Sequence, residues 1–490
     1  MTPRRRSGAR PGRRWLRRLA VLSVVVPALG AVAGLAMLER LAIAPRQLGP
    51  YVERRASGHN PAIEASGRWV GRHLVALDRA AHEGGMPALN LGAQPVPANG
   101  VSAARVVLVS NVAELRGALA GAQPGDAITL LPGRYRIDAP LDARQPGRAD
   151  APIVVRAELP GSVRLEQEAV EGFRISAPYW RFENLGIHGV CHDDSDCEHA
   201  FHITGAAHHV AAVNNTVVDF NAHFKINGHN MVYPDHGLLE SNTLTNTHVR
   251  ATANPVTPID VVGASDWVFR RNLISDFVKE GGNNVAFGAF VKGGGERNLF
   301  ERNLVWCEHK LTGRPGQRIG LSLGGGGTDK QYCRVRGCIV EQQQSILRDN
   351  LVAACSDVGI YLNSAAQSSV VHNSVIDTAG IDVRYPGSSA DLEGNLVDGP
   401  IRSRNGGIVR ERDNLSAASF YAYLGYHPVR ALYAVPQLEW HAAPARRETG
   451  GGAGPDLCGQ PRPARPAYGA FERFTPCLAA PATSSNSAAN

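Results

Sequence analysis

The stretch AFVKGGGERNLFERNLV, residues 289–305, holds the unit whose reading decides the fold. It opens on a short strand, Ala289-Phe290-Val291-Lys292, in which apolar and polar side chains alternate, and it reaches Asn303 followed by the apolar pair Leu304-Val305. An Asn with an apolar or β-branched follower recurs at Asn184, Asn215, Asn242, Asn272, Asn350, Asn373, Asn395 and Asn414, at intervals of 19 to 31 residues apart from one of 47. A repeat in the low twenties with insertions is the spacing of a β-solenoid coil, in which each turn adds one rung to several parallel sheets. Asn suits the corner of such a coil because it tolerates the left-handed backbone conformation and its amide bonds to the same Asn one coil away. These asparagines are read as a ladder and not as chemistry.

Short alternating strands precede most ladder positions: Phe201-His202-Ile203-Thr204, Phe224-Lys225-Ile226-Asn227, Ile259-Asp260-Val261-Val262, Ile360-Tyr361-Leu362-Asn363 and Ile381-Asp382-Val383-Arg384. Alternation sends one set of side chains into the bore and the other outward. Stacking predicts one outward row of His202, Lys225, Asp260, Tyr361 and Asp382, and a neighbouring row of Thr204, Asn227, Lys292, Asn363 and Arg384. Lys225 and Lys292 fall two coils apart, roughly 10 Å for rungs spaced about 4.8 Å.

Toward the N-terminus the pattern changes. Eight arginines lie in the first eighteen residues with no acid among them, and removing those eight charges from the net +7 leaves −1 for the rest. The basic balance therefore belongs to a topogenic tail, and charge gives little support to nucleic-acid binding by the folded part, so no nucleic-acid partner is expected. Residues 19–38, LAVLSVVVPALGAVAGLAML, carry no charge and are long enough to span a bilayer as a helix. Pro27 and Ala31-Val32-Ala33 also permit a signal peptide cut after Ala33; the length of the apolar run and the following LERLAIAP favour an uncleaved anchor. Either route takes the body out of the cytoplasm, anchored in the inner membrane and facing the periplasm or secreted to the cell surface.

The eight cysteines agree with an oxidising compartment. Nearness in sequence pairs Cys191 with Cys197, Cys333 with Cys338 and Cys458 with Cys477, leaving Cys307 for Cys355. The chain thus divides into a basic tail (1–18), the apolar segment (19–38), a stalk with a short helix near Ala62 to His82 (39–103), the solenoid (104–420), a C-terminal cap segment (421–478) and a disordered tail (479–490).

Before the first coil, Asn111 with Glu114 forms a capping box for a helix that would plug the open end of the stack. The segment that follows, AQPGDAITLLPGRYRI, carries Ala122, Pro124, Gly125, Asp126, Ile128, Leu130, Gly133 and Tyr135. It resembles the opening of pectin-lyase-like right-handed β-helix proteins, especially the group of chondroitinase B and alginate lyases. The ending DLCGQPRPARPAYGAFE, with Asp456, Gly459, Arg462, Gly469, Ala470 and Glu472, resembles their terminal segment. The expected fold class is therefore all-β, a single-stranded right-handed parallel β-helix with an N-terminal capping helix. The resemblance further implies a lysine base, an arginine from a neighbouring coil, and calcium held by Asn and Glu residues.

Eliminative cleavage of a uronate polymer needs a base for the C5 proton, a charge to neutralise the adjacent carboxylate and a proton for the leaving oxygen. Lys225, Lys292, Asp260, His202 and His223 are the residues expected to carry it, with His229, Asp235, His236 and Glu280 in the insertion-rich coils around them. The loop CHDDSDCEH offers Asp193, Asp194, Asp196 and Glu198 as hard oxygen ligands for calcium. The run Gly324–Gly327 is not a phosphate loop, since no Gly-Lys-Ser/Thr follows. The expected partner is an acidic polysaccharide, and the activity a lyase; a non-catalytic carbohydrate-binding or envelope-structural protein, or a uronate epimerase, are the alternatives.

Overall fold

The computed structural model describes residues 12–80, 87–98, 101–325, 328–335, 337–434, 439–440, 446–448 and 454–479. The first eleven residues of the basic tail, Gly326-Gly327 and the expected disordered tail from residue 480 lie outside them.

Among the described residues the chain winds into three long parallel sheets of 12, 10 and 11 strands, each coil adding a strand to every sheet. In one coil, His199–Thr204 lies in the second sheet, Ala211–Val213 in the first and Thr216–Val218 in the third. Alternation drives this arrangement. Phe173, Phe201 and Phe224 point inward on successive rungs and stack with ring centres 5.3 and 4.7 Å apart, and Phe269 and Phe300 do the same at 4.4 Å on the first sheet. Each of these rings is buried, and stacked aromatic faces add to the gain from removing them from water.

The asparagine ladder runs from Asn215 to Asn414 between the first and third sheets. Asn272 is typical: its backbone N–H and Nδ2 both donate to Oδ1 of Asn303, at 3.0 Å each, and Nδ2 also reaches the carbonyl of Leu239 at 2.9 Å. Buried amides are thereby satisfied coil to coil. Two corrections follow. Leu185, not Asn184, holds the first rung's ladder place, donating its N–H to Asn215 Oδ1. The left-handed corner residue is the one before each ladder place: Asn184, Asn214, Ser241, Arg271, Arg302, Asp349, His372, Gly394 and Asp413, all with φ between 51° and 66°. Asn184 belongs to that column, and its Oδ1 accepts from Nδ2 of Asn214 at 2.8 Å.

The capping helix is Val112–Ala120, with Leu115 and Leu119 buried against the first coil. Asn111 accepts the N–H of Glu114 as expected, while Glu114 closes the box on Ser110 rather than on Asn111. All four disulfides pair as the sequence spacing suggests.

The segment expected as a stalk is instead folded onto the solenoid. Helices Pro45–Ala56 and Pro61–Asp78 form a hairpin. It is pinned by Arg46, which donates to Asp78, to Asp377 and to the carbonyl of Cys355. Residues 454–479 run along the outer face of the third sheet, where Leu457, Phe471 and Phe474 pack with Leu304, Trp306 and Leu351. The N-terminal helix Gly12–Leu41 exposes Val21, Val25, Leu29 and Val32. Among the described residues no single helix is long and apolar enough to cross a membrane; Ala28–Leu41 with Pro45–Ala56 meets the test only as a pair bent by 106°.

Candidate active site on the second sheet

Pairing within the second sheet fixes which side chains share a row. His202, Lys225, Asp260, Phe290, Ser322, Tyr361, Asp382 and Arg402 occupy equivalent places on successive strands. Thr204, Asn227, Val262 and Lys292 occupy the next row, as do Asn363 and Arg384 farther along. The two expected rows are thus both present, with Phe290 interrupting the first.

Lys225 Nζ donates to Asp260 Oδ2 at 2.8 Å, across one rung. Asp260 is 4% exposed, and its other oxygen, Oδ1, is buried with no partner among the described residues. Lys292 leans from the second row over Phe290, its Nζ 4.5 Å from the ring centre. Burial pushes the Lys292 ammonium below the ordinary lysine range; the charge of Lys225 acts the same way, and Asp260 and Glu341 act against it. His202 bridges Glu171 and Asn227: Nδ1 lies 2.6 Å from Glu171 Oε1, and Nε2 lies 2.8 Å from Asn227 Oδ1. Asn227 Nδ2 donates to the Gly228 carbonyl, which turns its oxygen toward the ring.

The walls are built by insertions. Gly293 and Gly294 take left-handed φ values of 76° and 83°, turning the chain sharply after Lys292. Residues 328–335 then fold back over this corner, with the Arg334 N–H on the Gly293 carbonyl, and a Cβ at Gly325 would lie 2.9 Å from Lys292 Cδ. Arg334 forks onto Asp235 at 2.6 and 2.8 Å, tying this loop to the one after Asn227. At the far end, Arg402 donates to Ala42 O and Gln47 Oε1, so the hairpin covers the row there.

Other expected residues lie elsewhere. His223 is fully buried, its Nε2 against the Thr245 carbonyl, and burial holds its ring down to about 4, so it is a neutral corner histidine. His236 stacks on His209 at the edge of the first sheet, His229 sits in a loop bridge, and Glu280 lies in a two-stranded side sheet. The acidic loop does not converge on an ion. Asp194 is tied to Arg250, His248 and the Ala251 N–H, while Asp193 caps its own turn and Asp196 is exposed. Glu198 turns instead toward the Lys225 cluster, where burial raises its carboxyl above the usual range. Among the described residues no group of three or more His, Cys, Asp or Glu is placed to hold a metal ion, so the acidic loop does not fit the expected calcium and no step is derived through one.

Phe290 and Glu341 escaped the sequence reading. The first was legible as the residue that register places beside Asp260; the second stands outside any strand, and no local signal marks it.

The chain matches no family model and no curated protein. Among solved structures it is similar to a pectate lyase at 14% identity and TM-score 0.49, over 76% of this chain and 98% of that one. An alginate lyase from Paenibacillus sp. str. FPU-7 is 12% identical with TM-score 0.36, over 64% and 100% of the two chains. A rhamnogalacturonan lyase is 11% identical with TM-score 0.40, over 60% and 80%. These neighbours are polysaccharide lyases, the group that the opening segment resembles.

Proposed function

We propose that the protein binds a uronate-containing polysaccharide across the outer face of the second sheet and cleaves it by β-elimination, with Lys292 as the base. The observation that carries this reading is the different surroundings of two neighbouring lysines. Lys225 is paired with a carboxylate, whereas Lys292 is half-buried over an aromatic ring with its pKa lowered. A lysine acts as a base only when burial or neighbouring cations make its free amine accessible.

In the proposed step the Lys225 ammonium faces the uronate carboxylate and offsets the charge that builds on it. The Lys292 amine takes the C5 proton, the C–H electrons form the C4–C5 double bond, and the C4–O bond breaks. The departing oxygen takes up a proton from the ammonium so formed or from water. Asp260 holds Lys225, His202 flanks it on the preceding rung, and Asn227 lies two residues on in its own strand. The four disulfides and the apolar N-terminal helix support a folded part that works outside the cytoplasm, anchored in the inner membrane or secreted.

The test is incubation of the full chain with alginate, pectate, chondroitin and heparin-like polymers, following the ultraviolet absorbance of the unsaturated product, beside Lys292→Ala. New absorbance lost in the variant supports the reading. Retention of a polymer with no new absorbance would leave a carbohydrate-binding protein. Solvent hydrogen entering C5 at unchanged chain length would make it an epimerase.

A further inference from the structure

The N-terminal hairpin and the solenoid line a half-open cavity of about 620 Å³ that shares no residue with the lysine cluster. Six arginines line it, Arg46, Arg54, Arg72, Arg79, Arg314 and Arg318, against two carboxylates, Glu53 and Asp357. Three of the six are already matched. Glu308 takes Arg318 at 2.6 Å and Arg79 at 2.9 Å, and Asp78 with Asp377 takes Arg46. Arg54, Arg72 and Arg314 remain exposed, with no carboxylate within ion-pair distance among the described residues.

Arg46, 2% exposed, and Arg79 form the fixed back of the site: Arg46 is held by Asp78, Asp377 and the Cys355 carbonyl, and Arg79 by Glu308. Both side chains belong to the cavity wall. A guanidinium presents its donors in a plane that matches the paired oxygens of a carboxylate or a phosphate. Pro50, Val75, Ala76 and Ala80 supply an apolar strip beside them for a carbon skeleton. The volume falls within the roughly 300–1,000 Å³ typical of small-molecule sites.

We propose that this cavity binds a small oxyanion-bearing molecule, its carboxylate or phosphate gripped by Arg54, Arg72 and Arg314. The inference is independent of the reading of the lysine cluster. One chemistry has several sources here, a free phosphate, a sugar acid or the headgroup of a phospholipid beside the N-terminal helix.

The test is calorimetric titration of the full chain in a neutral detergent with inorganic phosphate, glucuronate and glycerol phosphate in turn. Saturable binding of at least one is expected, weakened tenfold or more in Arg72→Ala/Arg314→Ala. Arg410→Ala, a surface ion-pair arginine far along the solenoid, keeps the wild-type affinity. The charge-keeping pair Arg72→Lys/Arg314→Lys retains weaker binding, which separates loss of the site from loss of the fold. The tightest of the three probes identifies the source. Absence of saturable binding by all three, or undiminished affinity in the alanine pair, would overturn the proposal.

Discussion

Lys225 and Asp260 meet across one rung of the second sheet with Nζ 2.8 Å from Oδ2, and the second carboxylate oxygen of Asp260 is buried with no donor among the described residues. A carboxylate oxygen is expensive to bury without a donor, so the Lys225 ammonium is what keeps Asp260 tolerable there. Asp260→Asn is expected to raise KM on the cleaved polymer and to lower kcat through the loosened Lys225. An Asp260→Asn protein with wild-type kinetics would remove Asp260 from the site.

Lys292 carries the proton transfer in the proposed reaction, and Lys292→Ala is expected to lower kcat by about 100-fold or more. Burial moves its pKa down, so its free amine becomes populated below the ordinary lysine value of about 10.4. Activity therefore rises with pH on a limb that lies under that value. A limb at the ordinary lysine position, or one that survives in Lys292→Ala, would assign the base elsewhere.

The rows were legible because strand alternation is strict: His202, Lys225, Asp260, Tyr361 and Asp382 share a row by register, as their positions in the repeat imply. Alternation says nothing of what folds back from a distance. Arg46 reaches Asp377 over 331 residues, and no local pattern in residues 45–78 announces that contact. The Asn signature was legible as a ladder, yet the shift by one residue at Asn184 was not, because Asn184-Leu185 and Asn214-Asn215 differ only in which residue follows the left-handed corner. The acidic loop misled for a related reason: density of carboxylates in sequence does not reveal that Arg250 and His248, from another coil, already bond Asp194.

Stability should depend on two buried histidines. Burial holds His223 to about 4 and His372 to about 3, and His372 accepts from Arg447 as a neutral ring. In the unfolded chain both protonate near 6.5, so below that pH the unfolded state binds protons the fold refuses. Unfolding free energy is expected to fall as pH drops from about 6.5 toward 4, by up to about 1.4 kcal/mol per pH unit for each histidine. Urea denaturation at pH 7 and pH 5 measures it, and a slope unchanged in His223→Asn would show that His223 has no part in it.

Within the ladder, the middle should matter more than the end. Asn303 is 1% exposed and bonded to two ladder neighbours, Asn272 and Asn350, whereas Asn414 is half-buried and bonds one, Asn395, besides the Leu392 carbonyl. Asn303→Ala is expected to cost about 1–3 kcal/mol through the amides it leaves unpaired. Asn414→Ala should cost clearly less, and equal denaturation midpoints for the two variants would contradict this.

The hairpin is held by a buried charge cluster, with Arg46 between Asp78 and Asp377. Arg46→Ala leaves buried carboxylates short of a cation, an effect of about 3–5 kcal/mol on the docked state. Rapid proteolytic cleavage within residues 45–78 is the expected readout, with the solenoid left intact; unchanged cleavage would mean the cluster does not hold the hairpin.

The spacing along the asparagine column is the same whether 19 residues or 47 separate two members: Asn395 meets Asn414 at 2.9 Å, and Asn303 meets Asn350 at 2.9 Å. Every extra residue is therefore looped out on the other edges, and the corner behaves as a spine of interchangeable vertebrae. A lineage with such a spine can lengthen or duplicate a coil, trade one loop for another, and so reshape the walls of the groove without disturbing the register on which its floor depends.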